Sequence, residues 1–539
     1  MTWSWQEIAA VWVMIWLVLQ LLLWRFRGRQ RSTHGAAQWC QVWQAFRARL
    51  FKSGGLYVGD WVGRLGVFYH GAHAITFGVT GSGKGISAIL PNAARLDRLF
   101  MIDPGGENTA IAAKGWLRSG VSLFCINGFG MFTEAPWQLP EHGFNALDLL
   151  DPASPTFAAD ALLLAEMLTP RAGNEGGNTN YFKDSSESAK RAMLIHIKTT
   201  EPAERQNVGT LYEYAYSNAD DWEALITAMK ANPVCGDLVR HEANKLERIE
   251  AQAPEEFSAI MSTIQQDLSF LADPRVRDFL SRSDVDFSVL KKRRGRGAVI
   301  SVVMPLQFMQ SHAAIPRLAM ACAILVLEQP PYARRKVTFL IDEAAALGKI
   351  NRLPNWLATL RKYNVRVWTI WQNIGQVADL YGTNWQTLVS NCGLMQILGV
   401  GDLQTAQYTQ AMIGSTTVRT ESVNARGEVS ISHTARPLVM AEELLRTDTG
   451  KQIVLIENLW PLLLSKTPYW KQPGLAGRFH PNPYLGGRAR QPGILDEIAQ
   501  SLGNLYYLAV WWLAPHWLAG CIYAVPVLLG AGHLFGGGS

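Results

Sequence analysis

The sequence predicts an α/β fold: an open, mostly parallel sheet with an all-helical insertion, flanked by two apolar ends. Three observations predict it. Short apolar runs alternate with helical patterns through most of the chain, as in a parallel sheet covered by helices. Between about residues 157 and 290 the strand-like runs stop and helical patterns take over. Both ends carry an apolar run free of charge, while charged residues make up only 17% of the 539-residue chain, below the roughly 25% usual for soluble domains.

Residues 1–28 read as an N-terminal transmembrane anchor. Ile8 to Trp24 (IAAVWVMIWLVLQLLLW) is seventeen residues without a charge, at the short end of a bilayer span. Trp3, Trp5 and Trp24 lie near its edges, and Arg25, Arg27, Arg29 and Arg31 follow it. The positive-inside rule puts the N-terminus outside and the bulk of the chain in the cytoplasm. A cleaved signal peptide fits poorly, because the basic residues follow the apolar run.

Residues 29–156 carry the strands AITFGVT (74–80), RLFMIDP (98–104) and VSLFCIN (121–127). Residues 157–290 are read as the all-α insertion, with FAADALLLAEMLTP, FKDSSESAKRAMLIHIKTT and PEEFSAIMSTIQQDLSFLA as helices. Residues 291–470 return to strands: GAVISVVM (297–304), VTFLIDE (337–343) and VRVWTIW (365–371). Residues 471–501, rich in Pro, Gly and Arg, read as a linker. Residues 502–535 contain no Asp, Glu, Lys or Arg and are long enough to cross a bilayer once, with a re-entrant or interfacial segment as the alternative. Six cysteines scattered singly show no metal-ligand spacing and suit a reducing compartment.

GVTGSGKG (78–85) joins a strand to a helix, the setting of a true phosphate loop. Backbone N–H groups of Gly78, Thr80, Gly81, Ser82, Gly83 and Gly85 would cradle anionic oxygens, and Lys84 would reach the outer phosphates. Gly85 stands where the usual pattern has a hydroxyl for magnesium, so Mg2+ must keep a water or borrow an oxygen, for instance from Ser82 or Ser87. The other half of the site is VTFLIDE, which ends a buried strand on two carboxylates. Asp342 would hold Mg2+ through its water shell and Glu343 would orient or deprotonate the attacking water. Arg361 is either an arginine finger for a neighbouring subunit or a solvated arginine at a helix end. Gln372 is either a sensor of the terminal phosphate or an ordinary polar residue ending a strand. The basic run KKRRGRG (291–297) is either a DNA contact or a solvated turn.

With these residues assembled, the chain resembles the type IV secretion coupling proteins, inner-membrane ATPases of bacterial conjugation and effector export. The boxes that carry the resemblance run in the family's order: HGAAQW (34–39), GVTGSGKG, IDPGGEN (102–108), LIDEAAALGKI (340–350), LRKYNV (360–365), WQNIGQVADLYG (371–382), NCGLMQILGVGDLQTAQYTQAMIG (391–414), ARPLVMAEEL (435–444) and KQIVLIEN (451–458). The family's own phosphate loop commonly has glycine after the lysine. The resemblance implies the RecA-like form of the nucleotide-binding fold, ATP and Mg2+ as ligands, a homo-hexameric ring with a central channel, and Lys84, Asp342 and Glu343 in the nucleotide site, with Arg361 and Gln372 as partners in hydrolysis. It implies an inner-membrane location and as partners a relaxase with single-stranded DNA and the type IV channel proteins. The alternatives are a receptor for secreted effector proteins, or a nucleotide-binding membrane scaffold without turnover. Two departures stand out: one short anchor where the family has two spans, and the charge-free C-terminal segment.

Overall fold

The structure is a computed structural model that describes residues 34–61, 64–173, 176–292, 295–423 and 429–513. The anchor expected over 1–28 and the greater part of the apolar segment expected over 502–535 lie outside the described residues. Among the described residues no helix is long and apolar enough to cross a membrane.

Strands β1 (Leu56–Asp60), β2 (Gly66–Tyr69), β3 (Ala74–Gly78), β4 (Arg98–Pro104), β5 (Ser122–Ile126), β6 (Ala298–Met304), β7 (Val337–Ile341), β8 (Val365–Trp371), β9 (Leu394–Gly399), β12 (Lys451–Ile456) and β13 (Leu462–Ser465) form one sheet. Its order is β2-β1-β13-β12-β9-β3-β8-β7-β4-β6-β5. From β9 to β5 every pairing is parallel, and β12, β13, β1 and β2 extend it antiparallel. The six strands read from the sequence between 74 and 371 all belong to the parallel part. β6, β7 and β8 are buried along their whole length, as near-continuous apolar runs require when helices cover both faces. Side chains alternate between two cores. Phe100, Ile102, Phe339 and Ile341 face one, and Leu99, Met101, Leu340 and Ile370 face the other.

One series of buried polar groups within the sheet is paired across strands, as burial favours. Trp368 Nε1 on β8 donates to Thr76 Oγ1 on β3, whose hydroxyl donates to Gln396 Oε1 on β9. Gln396 Nε2 in turn donates to Gln452 Oε1 on β12 at 2.7 Å. A one-residue slip of any of these strands would turn its member of the chain to the other face.

Between β5 and β6, which pair side by side, the chain makes the helices Phe157–Leu168, Gly177–Thr200, Val208–Ala215, Ala219–Lys230, Val234–Gln252, Pro254–Asp267 and Pro274–Phe279. Asn207, Asn218 and Asp273 cap three of them with side-chain oxygens. Inside the bundle, Lys190, fully buried, donates to Asp267 at 2.6 Å, and Lys183 reaches the other carboxylate oxygen at 2.5 Å.

Two regions differ from the sequence expectation. β10 (Ser415–Val423) and β11 (Val429–Pro437) form a separate two-stranded ribbon, exposed along β11. Its polar, mixed composition gives no alternating pattern to read. The stretch 471–501, expected as a linker, is fastened to the body. Leu475 and Phe479 are buried, His480 N donates to Ile111 O, and Asp496 pairs with Arg64. The helix Ile494–Leu513 crosses the expected boundary at 502, because Gly493 N bonds Asp496 Oδ2 and starts the helix there.

Candidate nucleotide site

The C-terminal ends of β3, β8, β7 and β4 are neighbours in the sheet, the edge at which open α/β sheets bind ligands. Each contributes one part of the site.

At the end of β3, Gly81 and Gly83 have φ of +80° and +88°, a conformation that favours glycine. They turn the chain into a wide π-helical turn, Lys84–Ile89, continued by the helix Leu90–Ala93. A Cβ at Gly78 would crowd Ser82 Oγ at 2.7 Å and Leu398 Cβ at 3.2 Å, so glycine leaves room for both. Of the two hydroxyls expected as substitutes for the one missing at Gly85, Ser87 Oγ is committed to Gly83 O at 2.7 Å, while Ser82 Oγ is buried without a hydrogen-bond partner.

Lys84 Nζ stands 3.4 Å from Glu343 Oε2. Gln372 Nε2, from the end of β8, donates to Glu343 Oε1 at 2.8 Å. The strand order explains the contact, because β8 lies between β3 and β7 and puts Gln372 beside both. Gln372 is itself steadied by Gln376 Oε1, which accepts from its backbone N–H. Glu343 has φ +54° and ψ +55°, an uncommon left-handed conformation for a non-glycine residue, of the kind that clusters at functional sites.

Asp342 follows β7, its N–H bonded to Ile102 O of β4. That register sets its carboxylate beside Asp103. Burial, then the adjacent Asp103, push the Asp342 carboxyl up to about 7, while Lys84 pulls the other way. Asp103 is also raised by burial, opposed by bonds from Thr109 and Asn108. Asn108 Nδ2 donates to Asp103 Oδ1 at 2.9 Å and to Asp342 Oδ2 at 3.3 Å. Thr109 N and Oγ1 both donate to Asp103 Oδ2.

Asp103, Asn108 and Thr109 were not singled out by sequence reasoning, although the signal existed. RLFMIDP ends an apolar strand on an aspartate just as VTFLIDE does. Lys466 carried no local signal. It arrives from the loop after β13 and donates to Ser82 O and Leu398 O at 3.0 and 2.7 Å, tying down the glycine loop. Tyr484 Oη donates to Gly105 O, so the tail also covers the turn after β4.

Arg361 is not brought to this cluster. It is exposed in the turn Leu360–Tyr363 before β8, at the opposite edge of the sheet from Gln372, about 20 Å of strand away. In the basic run 291–297, Lys291 Nζ donates to Val326 O and Gln329 O, and Lys292 pairs with Asp286. Those two cations have partners within the chain.

The profile of the family described as type IV secretory system conjugative DNA transfer matches residues 32–491. A probable conjugal transfer protein TraG from Sinorhizobium fredii is 22% identical over 494 residues, spanning 83% of this chain and 74% of that protein. A protein VirD4 from Rhizobium rhizogenes is 24% identical over 471 residues, spanning 82% and 66%. Among solved structures, the bacterial conjugative coupling protein TrwBdeltaN70 superposes with a TM-score of 0.61 at 16% identity, covering 82% of this chain and 96% of that one. The fold is shared across that distance.

Proposed function

Because the chain belongs to the type IV secretory system conjugative DNA transfer family, we propose that it is the membrane-borne ATPase that couples a relaxase–single-stranded DNA complex to a type IV secretion channel. One observation carries the enzymatic part: Lys84, Gln372, Glu343 and Asp342 gather from three adjacent strand ends, with Glu343 held between Lys84 and Gln372. The related coupling protein TrwB has been solved with an ATP analogue and with ADP and Mg2+, which supports the same ligands here.

The residues fit ATP with Mg2+. The glycine turn offers backbone N–H groups without side chains in the way, and Lys84 offers a point charge for the outer phosphates. Among the described residues no group of three His, Cys, Asp or Glu side chains gathers in metal-holding geometry. That suits Mg2+, which takes one or two protein oxygens and completes its shell from phosphates and water. Bound there, Mg2+ would neutralise charge on the phosphates. Glu343 takes the proton of the attacking water. Gln372 holds that carboxylate in orientation, so the base is aimed before substrate arrives. An arriving triphosphate competes with Glu343 for the Lys84 ammonium, which frees the carboxylate for the water. Arg361, exposed at the far edge, completes the site of a neighbouring subunit in a homo-hexameric ring.

The test is ATP hydrolysis by the purified full chain in detergent or nanodiscs, with and without single-stranded DNA. We expect turnover that rises with DNA and falls to background in Lys84→Ala. Absence of any ATP hydrolysis would overturn the ATPase reading. Activity indifferent to DNA, together with capture of a secreted protein, would replace the relaxase–DNA cargo with an effector protein.

A further inference from the structure

Gly85 leaves the site without the hydroxyl that usually follows the phosphate-loop lysine, and the side chain nearest to that position is Asn108. A Cβ built on Gly85 would lie 3.2 Å from Asn108 Oδ1, the one non-neighbouring atom among the described residues within 4 Å of it. Asn108 is 6% exposed and its orientation is fixed by chemistry. Its Nδ2 donates to Asp103 Oδ1 and to Asp342 Oδ2. Asp103 already serves as an acceptor for Thr109 N and Oγ1 on its other oxygen, and turning the amide over would set Oδ1 against that acceptor. The amide oxygen therefore points to the space that a serine or threonine side chain at position 85 would occupy, next to Asp342. Gly105 and Gly106, with φ of +80° and +66°, turn the chain sharply after β4. They start the helix Glu107–Arg118 in time to bring its second residue under the loop.

We propose that Asn108 Oδ1 is the protein oxygen that ligates Mg2+ in place of the hydroxyl missing at Gly85. The proposal rests on the ATPase reading above. An amide carbonyl is a hard oxygen donor of the kind Mg2+ accepts. The pair explains both residues at once. Position 85 is glycine because any side chain there presses on Asn108, and Asn108 is held rigidly because it does the work of the absent hydroxyl. Ser87 Oγ, bonded to Gly83 O, does not compete for the role, and the loss on removing the Asn108 oxygen distinguishes it from Ser82 Oγ.

The experiment measures the affinity of the full chain for ADP in EDTA and in saturating Mg2+, and takes the ratio of the two dissociation constants. The wild type is expected to bind ADP more tightly with Mg2+. In Asn108→Ala that metal-dependent gain falls by about tenfold, the scale of losing a metal-orienting group, while the affinity in EDTA stays within about twofold. Asn108→Leu, which keeps the bulk and lacks the oxygen, gives the same loss and serves as the reading if the alanine variant does not fold. Gly85→Ser alone does not raise the gain, because its Cβ meets Asn108. The double variant Gly85→Ser with Asn108→Ala recovers the gain, which a merely structural role for Asn108 would not produce. An unchanged gain in both Asn108 variants, or no recovery in the double variant, overturns the proposal, as does a wild type that binds ADP without regard to Mg2+. A wild type that binds no ADP at all contradicts the ATPase reading instead.

Discussion

Glu343 is held by a cation on one side and an amide on the other, and each partner has a different task. In the proposed mechanism Lys84 serves the phosphates, so Lys84→Ala should weaken nucleotide binding and lower the ATPase rate by at least two to three orders of magnitude. Gln372, bonded to Glu343, orients the base in the same proposal. Gln372→Ala should lower kcat by about 10- to 100-fold, within the range general-base catalysis supplies, and leave KM for ATP within about threefold. A steady-state titration in ATP separates the two variants. The residues of the loop and the Asp-Glu pair were legible in the sequence because each is contiguous and each ends an apolar run. The contact of Gln372 with Glu343 was not, because it depends on β8 lying between β3 and β7. Asp103 was readable by the same rule as Asp342, but Asn108 and Thr109 are defined only by what they touch.

At the scale of elements, two buried charges carry stability predictions. Asp60 ends β1 and is 3% exposed, and burial pushes its carboxyl from 3.8 up to about 6, against the opposing influence of the nearby Thr467 and Tyr57 hydroxyls. The folded state then binds the proton more tightly than the unfolded chain. Its stabilising contribution is complete below pH 3.8 and is lost as pH rises through 6. Asp60→Asn, which has no proton to lose, should gain about 2 kcal/mol relative to wild type between pH 4.5 and pH 7, as read from urea midpoints. In the helical bundle, Lys190→Ala leaves Asp267 buried with Lys183 and Ser186 alone. Removing one partner of a buried pair costs about 3 kcal/mol or more, so the urea midpoint should fall while nucleotide binding by the remaining folded fraction is unchanged. The strands of the parallel sheet were legible because burial on both faces makes them uninterrupted apolar runs. The helices 157–279 were legible from their period. The ribbon β10–β11 has neither signal, and the packing of residues 471–491 rests on isolated anchors such as Leu475 and Phe479, set in a sequence dominated by turn residues.

Across the whole molecule, the segment after Glu343 runs from the nucleotide site to the helical bundle. Lys349 N donates to Arg171 O, Arg171 pairs with Asp184 and Glu187, and Arg352 grips Glu166 with both arms of its guanidinium. These contacts offer a route by which a change at Glu343 could reach the bundle, and Arg352 is the place to test it. Arg352→Ala should keep the DNA-independent ATPase rate within about twofold of wild type and reduce its stimulation by DNA. Equal stimulation would show that the bundle is driven by another route. Arg361 stands at the opposite sheet edge from the site of its own chain, so the role proposed for it is testable only between chains. Neither Arg361→Ala nor Glu343→Gln should hydrolyse ATP appreciably alone. Mixed before assembly, they should recover part of the activity, because some interfaces then pair an intact Arg361 with an intact Glu343.

The most direct measurement is made on Glu343→Gln, which keeps the shape and the bond to Gln372 but removes the base. ATP affinity and single-turnover hydrolysis are measured on the same preparation. Affinity close to wild type with hydrolysis slowed by at least 100-fold is the expected result. Hydrolysis at the wild-type rate would contradict the assignment of Glu343 as the base and, with it, the account of the site.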